Sequence, residues 1–416
     1  MERGSGDPTA QQPASGILQV KILVLNCGSS TLKFQLIETV SVKDKERKLA
    51  RGIVDRIGKQ ASYRFEAGGA VSQEKAAVIS THEEAVRLVI DWLRSKPGLD
   101  SIDAVGHRVV HGGDRFTSSV LIDDEVIATI EALCEIAPLH NPASLSGIRA
   151  ARKILGASMP MVAAFDTSYH HRIPEQAALY AIPYELSQKH KIRRYGFHGL
   201  AHQYDVARYA EIVGKRTDEI DAVTLHLGNG CSASAVRNGQ SIDTSMGFTP
   251  LEGLVMGTRC GDLDPALVSY LARKEAVDAA EVEQWLNQRS GLLGLSGISN
   301  DMRELAAAYD KNPRARLAVE AFCYRARKYL GAYLAVLGGA EAVMFSGGIG
   351  ENSSPVRAMI CRNMDWCGLH LDSSANEAVL GRDGIISSDD SSLKVAVIHT
   401  DEEMIIARET VLLIGG

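Results

Sequence analysis

The sequence predicts an α/β protein built from two similar domains. Two distant segments each run an apolar strand directly into a turn of small residues: KILVLNCGSSTLK at 21–33 and AVTLHLGNGCS at 222–232. In such turns glycine lets the main chain approach a phosphate group, while Ser and Thr hydroxyls and Lys33 add donors and charge. Strand patterns alternate with helical patterns, and no Pro-rich linker separates them. A nucleotide bound in a cleft between two domains would account for both turns.

The individual elements follow from hydrophobic spacing. Strand-like patterning extends from Lys21 to about Ile57, and a helix follows from Thr81 to Arg94, where Thr81 and Glu84 form a capping box. Two buried strands then end at a Gly pair (102–113) and at an acid (161–167). The remaining patterns predict helices at 206–213, 265–290, 312–337 and 402–413, a strand entering a third glycine turn at 342–352, and a last strand at 395–398.

Composition narrows the class of protein. The chain of 416 residues contains 45% hydrophobic and 23% charged residues, which is typical of a soluble enzyme. Its net charge of −6 disfavours nucleic acid as a partner. The seven cysteines include no CxxC pair, which indicates free thiols in a reducing, cytoplasmic compartment. No apolar stretch is long enough for a membrane span, and the polar, Gly- and Pro-containing residues 1–17 read as a disordered leader.

Oxygen-bearing side chains at strand ends are the candidate metal ligands. Asn26, Asp166 and the acids at 401–403 each follow a predicted strand. Mg²⁺ prefers oxygen ligands and keeps several waters, so it needs few protein contacts. The alternative for Glu402 is that acids in a first helical turn simply complement the helix dipole.

Basic side chains beside glycines are the candidate anion ligands. Arg108 lies in a mostly apolar strand, and Arg259 lies in the Gly-rich segment MGTRCGD. Arg binds carboxylates and phosphates through two parallel hydrogen bonds, although either residue could instead form a structural ion pair. His140 and His198 lie in loops bounded by Pro or Gly, which favours a functional role over a core one. Neither the Walker A nor the Rossmann pattern is present, and no HExxH motif indicates zinc.

Several longer segments together resemble the acetate kinase family, in the family's order and over about residues 20–412. They are LNCGSSTLKFQL, GHRVVHGGD, APLHNPAS, FDTSYH, RRYGFHG, HLGNGCS, DTSMGFTPLEGLVMGTRCGDLDPA, SGGIGENSS and TDEEMIIARE. The resemblance implies two duplicated actin-like (ribonuclease H-like) domains with ATP in the cleft between them, and a homodimer. It further implies one domain from 18–167 plus 400–416 and a nucleotide-binding domain from 168–399. The activity implied is the Mg²⁺-dependent conversion of ATP and acetate to ADP and acetyl phosphate, with Mn²⁺ as a possible substitute for Mg²⁺.

The resemblance also assigns roles to residues. The metal ligands would be Asn26 and Glu402, and the catalytic residues Asp166, His198 and Arg259, with His140 nearby. The acetate site would consist of Arg108, Val110, Leu139, Phe197 and Pro250. ATP would be bound by Lys33, His226, Leu227, Gly228, Asn229, Gly230, Asp301, Met302, Arg303, Gly348, Ile349, Gly350, Glu351 and Asn352. Cys27 departs from the family pattern, in which a small residue, usually Ala, follows the metal-linked Asn.

Two alternatives remain at this stage. A propionate kinase of the same family differs by one methylene in its substrate, and Val110 should crowd the acyl end and favour acetate. A non-catalytic nucleotide switch would share the phosphate turns but would not need Arg108, His198 and Arg259 together.

Overall fold

The computed structural model describes residues 19–39 and 46–415, so the predicted leader lies outside the described residues. Within those ranges the chain forms two mixed β-sheets with helices on their faces. The strands are β1 (Val20–Cys27), β2 (Thr31–Thr39), β3 (Arg47–Asp55), β4 (Gln60–Ala67), β5 (Ala70–Val78), β6 (Ala104–Val109), β7 (Val120–Leu121), β8 (Met161–Phe165), β9 (Ala222–Leu227), β10 (Cys231–Arg237), β11 (Gln240–Thr244), β12 (Ala342–Ser346), β13 (Gly384–Ile385) and β14 (Lys394–Val397).

The α-helices cover the sheet faces and form most of the connections. They are α1 (His82–Arg94), α2 (Asp124–Ala132), α3 (Asn141–Leu155), α4 (Glu175–Ala178), α5 (Tyr184–His190), α6 (Gly199–Val213), α7 (Ala266–Glu275), α8 (Ala279–Gln288), α9 (Gly291–Ser296), α10 (Met302–Ala308), α11 (Pro313–Leu337), α12 (Gly347–Asn352), α13 (Ser354–Cys361), α14 (Ser373–Ala378) and α15 (Glu402–Ile414). Short 3₁₀ turns occupy Ser168–His170, Thr217–Glu219 and Asp365–Cys367.

The two sheets repeat one topology, which confirms the predicted pair of similar halves. The first sheet has the order β5-β4-β3-β2-β1-β6-β8-β7 and the second β11-β10-β9-β12-β14-β13. In both, an antiparallel hairpin leads into three parallel strands: β1, β6 and β8 in one sheet, β9, β12 and β14 in the other. A short antiparallel strand closes each sheet at the far edge. The first sheet differs by the added hairpin β4–β5.

Apolar residues explain how the layers pack. Helices α1 and α3 cover one face of the first sheet, and helix α11 covers one face of the second. The last helix, α15, returns to the opposite face of the first sheet, where Ile405 and Ile406 pack among Ile22 and Val24. Helix α6 packs against the second sheet through Val206 and contacts α15, so α6 and α15 lie where the two halves meet.

Most elements agree with the hydrophobic patterns, and the differences have local causes. The predicted helix at 265–290 is two helices, because Ala276 takes a left-handed conformation (φ 55°) between α7 and α8. The predicted third glycine turn is wrong in detail: residues 347–352 form the short helix α12. Thr81 caps α1 by accepting from the Glu84 amide, as expected, but the Glu84 carboxylate accepts from Ser80 rather than Thr81. None of the described helices has the length and apolarity that a membrane span requires.

Candidate active site

The site forms where parallel strands end. The carboxyl ends of neighbouring parallel strands lie at the same edge of a sheet, and ligands of open α/β sheets bind there. At this edge of the first sheet, β1 presents Asn26, β6 presents Arg108, and Asp166 follows β8. The loop after β14 adds Glu402 at the first position of α15. Residues far apart in the sequence therefore meet as the metal and carboxylate predictions require.

Arg108 is the centre of this polar cluster. Its Nε and Nη2 donate to the two carboxylate oxygens of Asp166 at 2.9 and 2.6 Å. Its Nη1 donates to Asn26 Oδ1 at 3.3 Å and lies 3.5 Å from Glu402 Oε2. The structural ion pair considered for Arg108 is therefore present, and Asp166 and Glu402 hold the guanidinium at the edge of the cavity described below.

Charge and burial set the protonation of the cluster. Burial raises the pKa of Asp166 and the Glu402 charge adds to this, although Arg108 opposes both. Burial disfavours ionised Glu402 as well, but Arg108, His226 and Lys33 outweigh it and lower its pKa. Burial alone would lower the pKa of Arg108, whereas its carboxylate partners raise it. Arg108 thus remains a cation.

A cavity of about 210 Å³ separates this cluster from two further predicted residues, His198 and Arg259. His198 adopts a left-handed conformation (φ 57°) at the start of α6, which turns its ring toward the turn after β9. A Cβ on Gly230 would lie 3.3 Å from the His198 ring and 3.6 Å from Arg259 Nη1, so this glycine allows both side chains close to the main chain. The cavity is lined by Asn26, Cys27, Gly28, Arg108, Val110, His140, Ser144, Asp166, Phe197, His198, Gly230, Pro250 and Arg259.

Arg259 has no acidic partner among the residues that the structure describes. Its Nη1 donates to the Pro250 carbonyl at 2.9 Å and lies 3.8 Å from Met256 Sδ. Burial lowers the pKa of Arg259, since no carboxylate nearby offsets the loss of water. An enclosed guanidinium without a counterion is costly unless an anion joins it. Arg259 is therefore the strongest anion-binding feature of the cavity.

The apolar side of the cavity agrees with the predicted acyl site except at one position. Val110, Phe197 and Pro250 line it, and His140 lies at its edge. Burial, together with Arg259 and Arg108, lowers the pKa of His140 to about 4, so this imidazole is neutral at pH 7. Leu139 is 54% exposed and is not brought to the cavity.

The predicted nucleotide turns lie side by side, because β9 and β12 are parallel neighbours. His226 Nδ1 lies 3.1 Å from the Ser346 hydroxyl at the end of β12. A Cβ on Gly348 would meet nothing within 4 Å, so this face of α12 is open. Glu351 instead accepts from the Thr400 amide and lies 2.6 Å from His399 Nδ1, which ties it to the chain leading into α15. The members of the two turns are Leu227, Gly228, Asn229, Gly230, Ile349, Gly350 and Asn352.

Residues 301–303 are connected to the turn after β9 through the adjacent residue Asn300. Asn300 Nδ2 donates to Asn229 Oδ1 at 2.9 Å, while Asp301 caps α10 and pairs with the exposed Arg303. Met302 is buried in the core of the second sheet, so its side chain does not face the cleft. Lys33 lies on β2 opposite Asn26 in the strand register. Burial raises the pKa of Glu402, and Arg108, His226 and Lys33 lower it, with Lys33 having the smallest effect of the three.

Sequence reasoning did not predict the contacts of three polar residues at the site. Ser144 lines the cavity with a buried hydroxyl that has no hydrogen-bond partner in the part of the chain that the structure describes. Ser232 lies between His198 and His202. Asp205, on α6, accepts from Ser346 and Thr400, and burial raises its pKa to about 8. The i,i+4 spacing of His198 and His202 is a usable signal, because it brings both rings to the same hydroxyl, that of Ser232.

The oxygen atoms present suit a hard divalent cation held by few protein ligands. Asn26 Oδ1 and the Glu402 carboxylate both contact Arg108 Nη1 and therefore lie close together. Oxygen ligands and a small number of protein contacts are what Mg²⁺ accepts. Within the described ranges, no group of three or more His, Cys, Asp or Glu side chains is arranged to hold a metal ion, so the nitrogen- and sulfur-rich clusters that zinc prefers do not occur there.

Comparison with known proteins shows which family the chain belongs to. The model of the acetokinase family matches residues 21–408. The chain belongs to the acetokinase family. An acetate kinase of Chloroherpeton thalassium is 49% identical over 409 residues, which cover 94% of this chain and 98% of that relative. An acetate kinase of Solibacter usitatus is also 49% identical, with 95% and 99% covered. Membership of this family implies ATP as a substrate and typically a divalent metal ion.

Solved structures show the same fold for two acyl specificities. The crystal structure of Porphyromonas gingivalis acetate kinase matches this acetokinase with a TM-score of 0.88, 41% identity, and coverage of 95% of this chain and 100% of that one. A propionate kinase from Francisella tularensis gives a TM-score of 0.88, 40% identity and the same coverage. Overall similarity therefore does not separate the two substrates, and the choice depends on the cavity.

Proposed function

We propose that this acetokinase transfers the γ-phosphoryl group of ATP to acetate, giving acetyl phosphate and ADP, and that it also catalyses the reverse reaction. The observation that carries the proposal is the small cavity in which Arg259 has no counterion and faces Arg108 and His198. Two anions, a carboxylate and a triphosphate, must meet in this reaction. A small cavity with two guanidinium groups offsets their repulsion.

The chemistry requires alignment rather than a general base. Acetate is already ionised at neutral pH, so one of its oxygens attacks the γ-phosphorus while the bond to the bridging oxygen of ADP breaks. Arg108, oriented by Asp166, would hold the carboxylate. Arg259 and His198 would donate to the equatorial oxygens of the phosphoryl group during transfer. Asp166 would act by positioning Arg108 and not by removing a proton.

Asn26 and Glu402 would hold Mg²⁺, for which Mn²⁺ is a chemically similar substitute. When bound, the ion neutralises charge on the phosphate oxygens. The turn at 226–230 and residues 348–352 of helix α12, with Asp301 to Arg303 and Lys33, would bind the nucleotide. Main-chain amides of glycine turns and helix N-termini suit phosphates.

Acetate is proposed as the preferred acyl group because Val110 projects into a cavity of only about 210 Å³. The similarity to a propionate kinase keeps that substrate as the second candidate. One methylene changes binding by about 1–3 kcal/mol, so the distinction depends on a few atoms.

The remaining proposals concern organisation. We infer one domain from residues 18–167 plus 400–416, supported by the packing of α15 on the first sheet, and a second from 168–399. A homodimer and a cytoplasmic location remain predictions from the family resemblance and from the cysteine content.

The deciding experiment is a hydroxamate assay for acyl phosphate, run with ATP, Mg²⁺ and either acetate, propionate or butyrate. We expect the highest kcat/KM with acetate, a lower value with propionate and the lowest with butyrate. A preference for propionate would reassign the substrate. ATP binding without acyl phosphate formation from any of the three acids would favour the nucleotide switch and overturn the proposal.

A further inference from the structure

A row of buried polar side chains lies behind His198, on the side away from the cavity. The Ser232 hydroxyl lies 2.9 Å from His198 Nδ1 and 2.7 Å from His202 Nε2. The other nitrogen of His202, Nδ1, lies 2.7 Å from the Thr224 hydroxyl. Ser232, His202 and Thr224 are fully buried. His198 is the N-cap of α6 and His202 lies in its first turns, whereas strands β10 and β9 supply the two hydroxyls.

Counting protons along this row gives each bond a direction. Burial and the neighbouring His170 and His226 lower the pKa of His202, so its ring is neutral and carries one N–H. The alternative acceptor for the Thr224 hydroxyl, the Ser234 carbonyl, is 3.5 Å away, which is long for a hydrogen bond. Thr224 therefore donates to His202 Nδ1, and the ring proton lies on Nε2 and is donated to Ser232. The Ser232 hydroxyl then donates to His198 Nδ1.

The free edge of the His198 ring faces the reacting groups. The Cβ that Gly230 lacks would lie 3.3 Å from Cε1 and 3.4 Å from Nε2 of His198, and 3.6 Å from Arg259 Nη1. Burial, with His226 and Arg108, holds the pKa of His198 well below its ordinary value, so the ring is neutral. A neutral ring donates into the cavity only if its proton is on Nε2, because a bare Nε2 would repel a phosphate oxygen.

We propose that Thr224, His202 and Ser232 form a directed hydrogen-bond row that fixes the His198 proton on Nε2, so that this neutral histidine can donate to the transferred phosphoryl group. The inference rests on the proposed function for what His198 does, whereas the position of the proton is a property of the free protein. Thr224, His202 and Ser232 are positioning residues, since they reach the substrate only through His198.

The first test measures the proton itself. In protein labelled with ¹⁵N-histidine, the His198 signals are assigned by their loss in His198→Gln. We expect Nε2 protonated in the wild type at pH 7, and a shift toward the Nδ1–H form in Ser232→Ala and in the isosteric Thr224→Val. A wild-type ring protonated on Nδ1 would overturn the proposal, and this readout does not depend on the substrate.

The second test is kinetic and has a matched control. Ser234→Ala removes another buried hydroxyl from β10, but Ser234 Oγ bonds to Ser241 and the Asp243 carbonyl instead of to either histidine of the row. We expect Ser232→Ala and Thr224→Val to lose at least about tenfold in kcat, and less than the roughly 10²- to 10³-fold cost of removing a transition-state donor outright. For Ser234→Ala, both KM for ATP and kcat should stay near the wild-type values.

Replacing His202 separates its hydrogen bonding from its bulk. His202→Gln keeps an N–H donor near the Nε2 position and should retain more kcat than His202→Leu, whereas a purely structural role predicts equal losses. If Ser232→Ala does not fold, the wild-type spectrum and Thr224→Val still decide the question. If the wild type forms no acyl phosphate, the proposed function is wrong. The NMR spectrum then remains the test of where the His198 proton lies. If the wild type is active but Ser232→Ala and Thr224→Val have the same kcat as Ser234→Ala, the proposed hydrogen-bond row is wrong while the proposed function stands.

Discussion

Arg259 is held by neutral oxygen and sulfur atoms and faces a cavity, so its charge is available to a bound anion. Arg259→Ala should lower kcat by about 10²- to 10³-fold, because the variant loses a donor to the developing charge. KM for ATP should change little, since the nucleotide turns remain. Steady-state kinetics measure both constants.

A suitable control for Arg259 is Arg237→Ala. Arg237 lies at the other end of the second sheet, where its guanidinium donates to the carbonyls of Val336 and Leu337. This variant should keep wild-type kcat. Equal kcat in Arg259→Ala and Arg237→Ala would remove Arg259 from the reaction.

Arg108 pairs with Asp166 and is proposed to bind acetate, and one substitution separates these two roles. Arg108→Lys keeps the charge but loses the paired hydrogen bonds to Asp166. We expect KM for acetate to rise about 10- to 150-fold, the equivalent of losing about 1.5–3 kcal/mol from a charge-assisted hydrogen bond. KM for ATP should stay nearly constant. Both KM values and the melting temperature should be measured on one preparation.

The comparison for Arg108 is Arg47→Lys, which breaks a similar pair of bonds to Glu38 away from the cavity. It should leave KM for acetate unchanged. A lower melting temperature of Arg108→Lys with a normal acetate KM would mean that Arg108 is only a structural partner of Asp166.

Val110 sets the space for the acyl chain. Val110→Ala should shift the ratio of kcat/KM values toward propionate by roughly tenfold, because the smaller side chain leaves room for a methylene. The measurement is acyl phosphate formation from both acids. Leu139→Ala is the control, since Leu139 is outside the cavity, and the same ratio in wild type and Val110→Ala would show that Val110 does not limit the acyl group.

Among the elements, α6 approaches the end of β8 more closely than a side chain would permit. The Gly199 amide donates to the Asp166 carbonyl at 2.9 Å, and a Cβ on Gly199 would overlap that oxygen. Gly199→Ala should therefore push α6 away, displacing His198 and Asp166 together. We expect a lower melting temperature and a loss of kcat, measured by thermal unfolding and by the acyl phosphate assay.

Gly331→Ala gives the opposite expectation for a helical glycine. Gly331 lies inside α11, and its added Cβ would meet nothing within 4 Å. This variant should gain about 0.5–1 kcal/mol of stability at unchanged kcat. Equal effects of the two substitutions would show that the contact between Gly199 and Asp166 does not matter.

Among the elements, the strands and the residues at their ends could be predicted from the sequence. The residues that those side chains contact could not. Short apolar runs that end at or next to Asn26, Arg108 or Asp166 identify a strand and the chemistry at its end from local sequence alone. The pairing of Arg108 with Asp166 was left open, because it joins strands whose adjacency depends on the whole sheet order. Ser144 carried no local signal, and Ser232 was marked only as a hydroxyl of the second glycine turn, because the residues that each one contacts depend on the whole fold.

For the whole molecule, buried histidines should make stability depend on pH. Burial lowers the pKa of His107 to about 3 and of His111, His140 and His170 to about 4. Between pH 6.5 and about 4 the unfolded chain therefore binds more protons at these rings than the folded protein does. The free energy of unfolding should fall as the pH is lowered from 7 to 5, by up to about 1.4 kcal/mol per pH unit for each ring.

Four buried acids with raised pKa values oppose this trend, namely Asp166, Asp205, Asp243 and Glu403, whereas the lowered pKa values of His198, His202 and His226 add to it. Asp205, with its pKa raised to about 8, holds a proton in the folded protein over this range. It therefore offsets the contribution of about one histidine ring to the pH dependence of the free energy of unfolding. Urea unfolding at several pH values measures the slope, and His107→Leu should flatten it by one ring's share. Stability that does not change between pH 7 and pH 5 would contradict the assignment.

The return of α15 to the first sheet has a consequence for how the protein is made. Strand β1 and helix α15 lie near opposite ends of the chain, yet Ile22 and Ile406 share one core. At ribosomal speed the helix follows the strand by on the order of tens of seconds, during which one face of the first sheet has no cover. Glu402 also arrives only with that helix. A nascent chain therefore lacks part of this core until α15 has been synthesised, and under the proposed function it also lacks one of its two metal ligands until then.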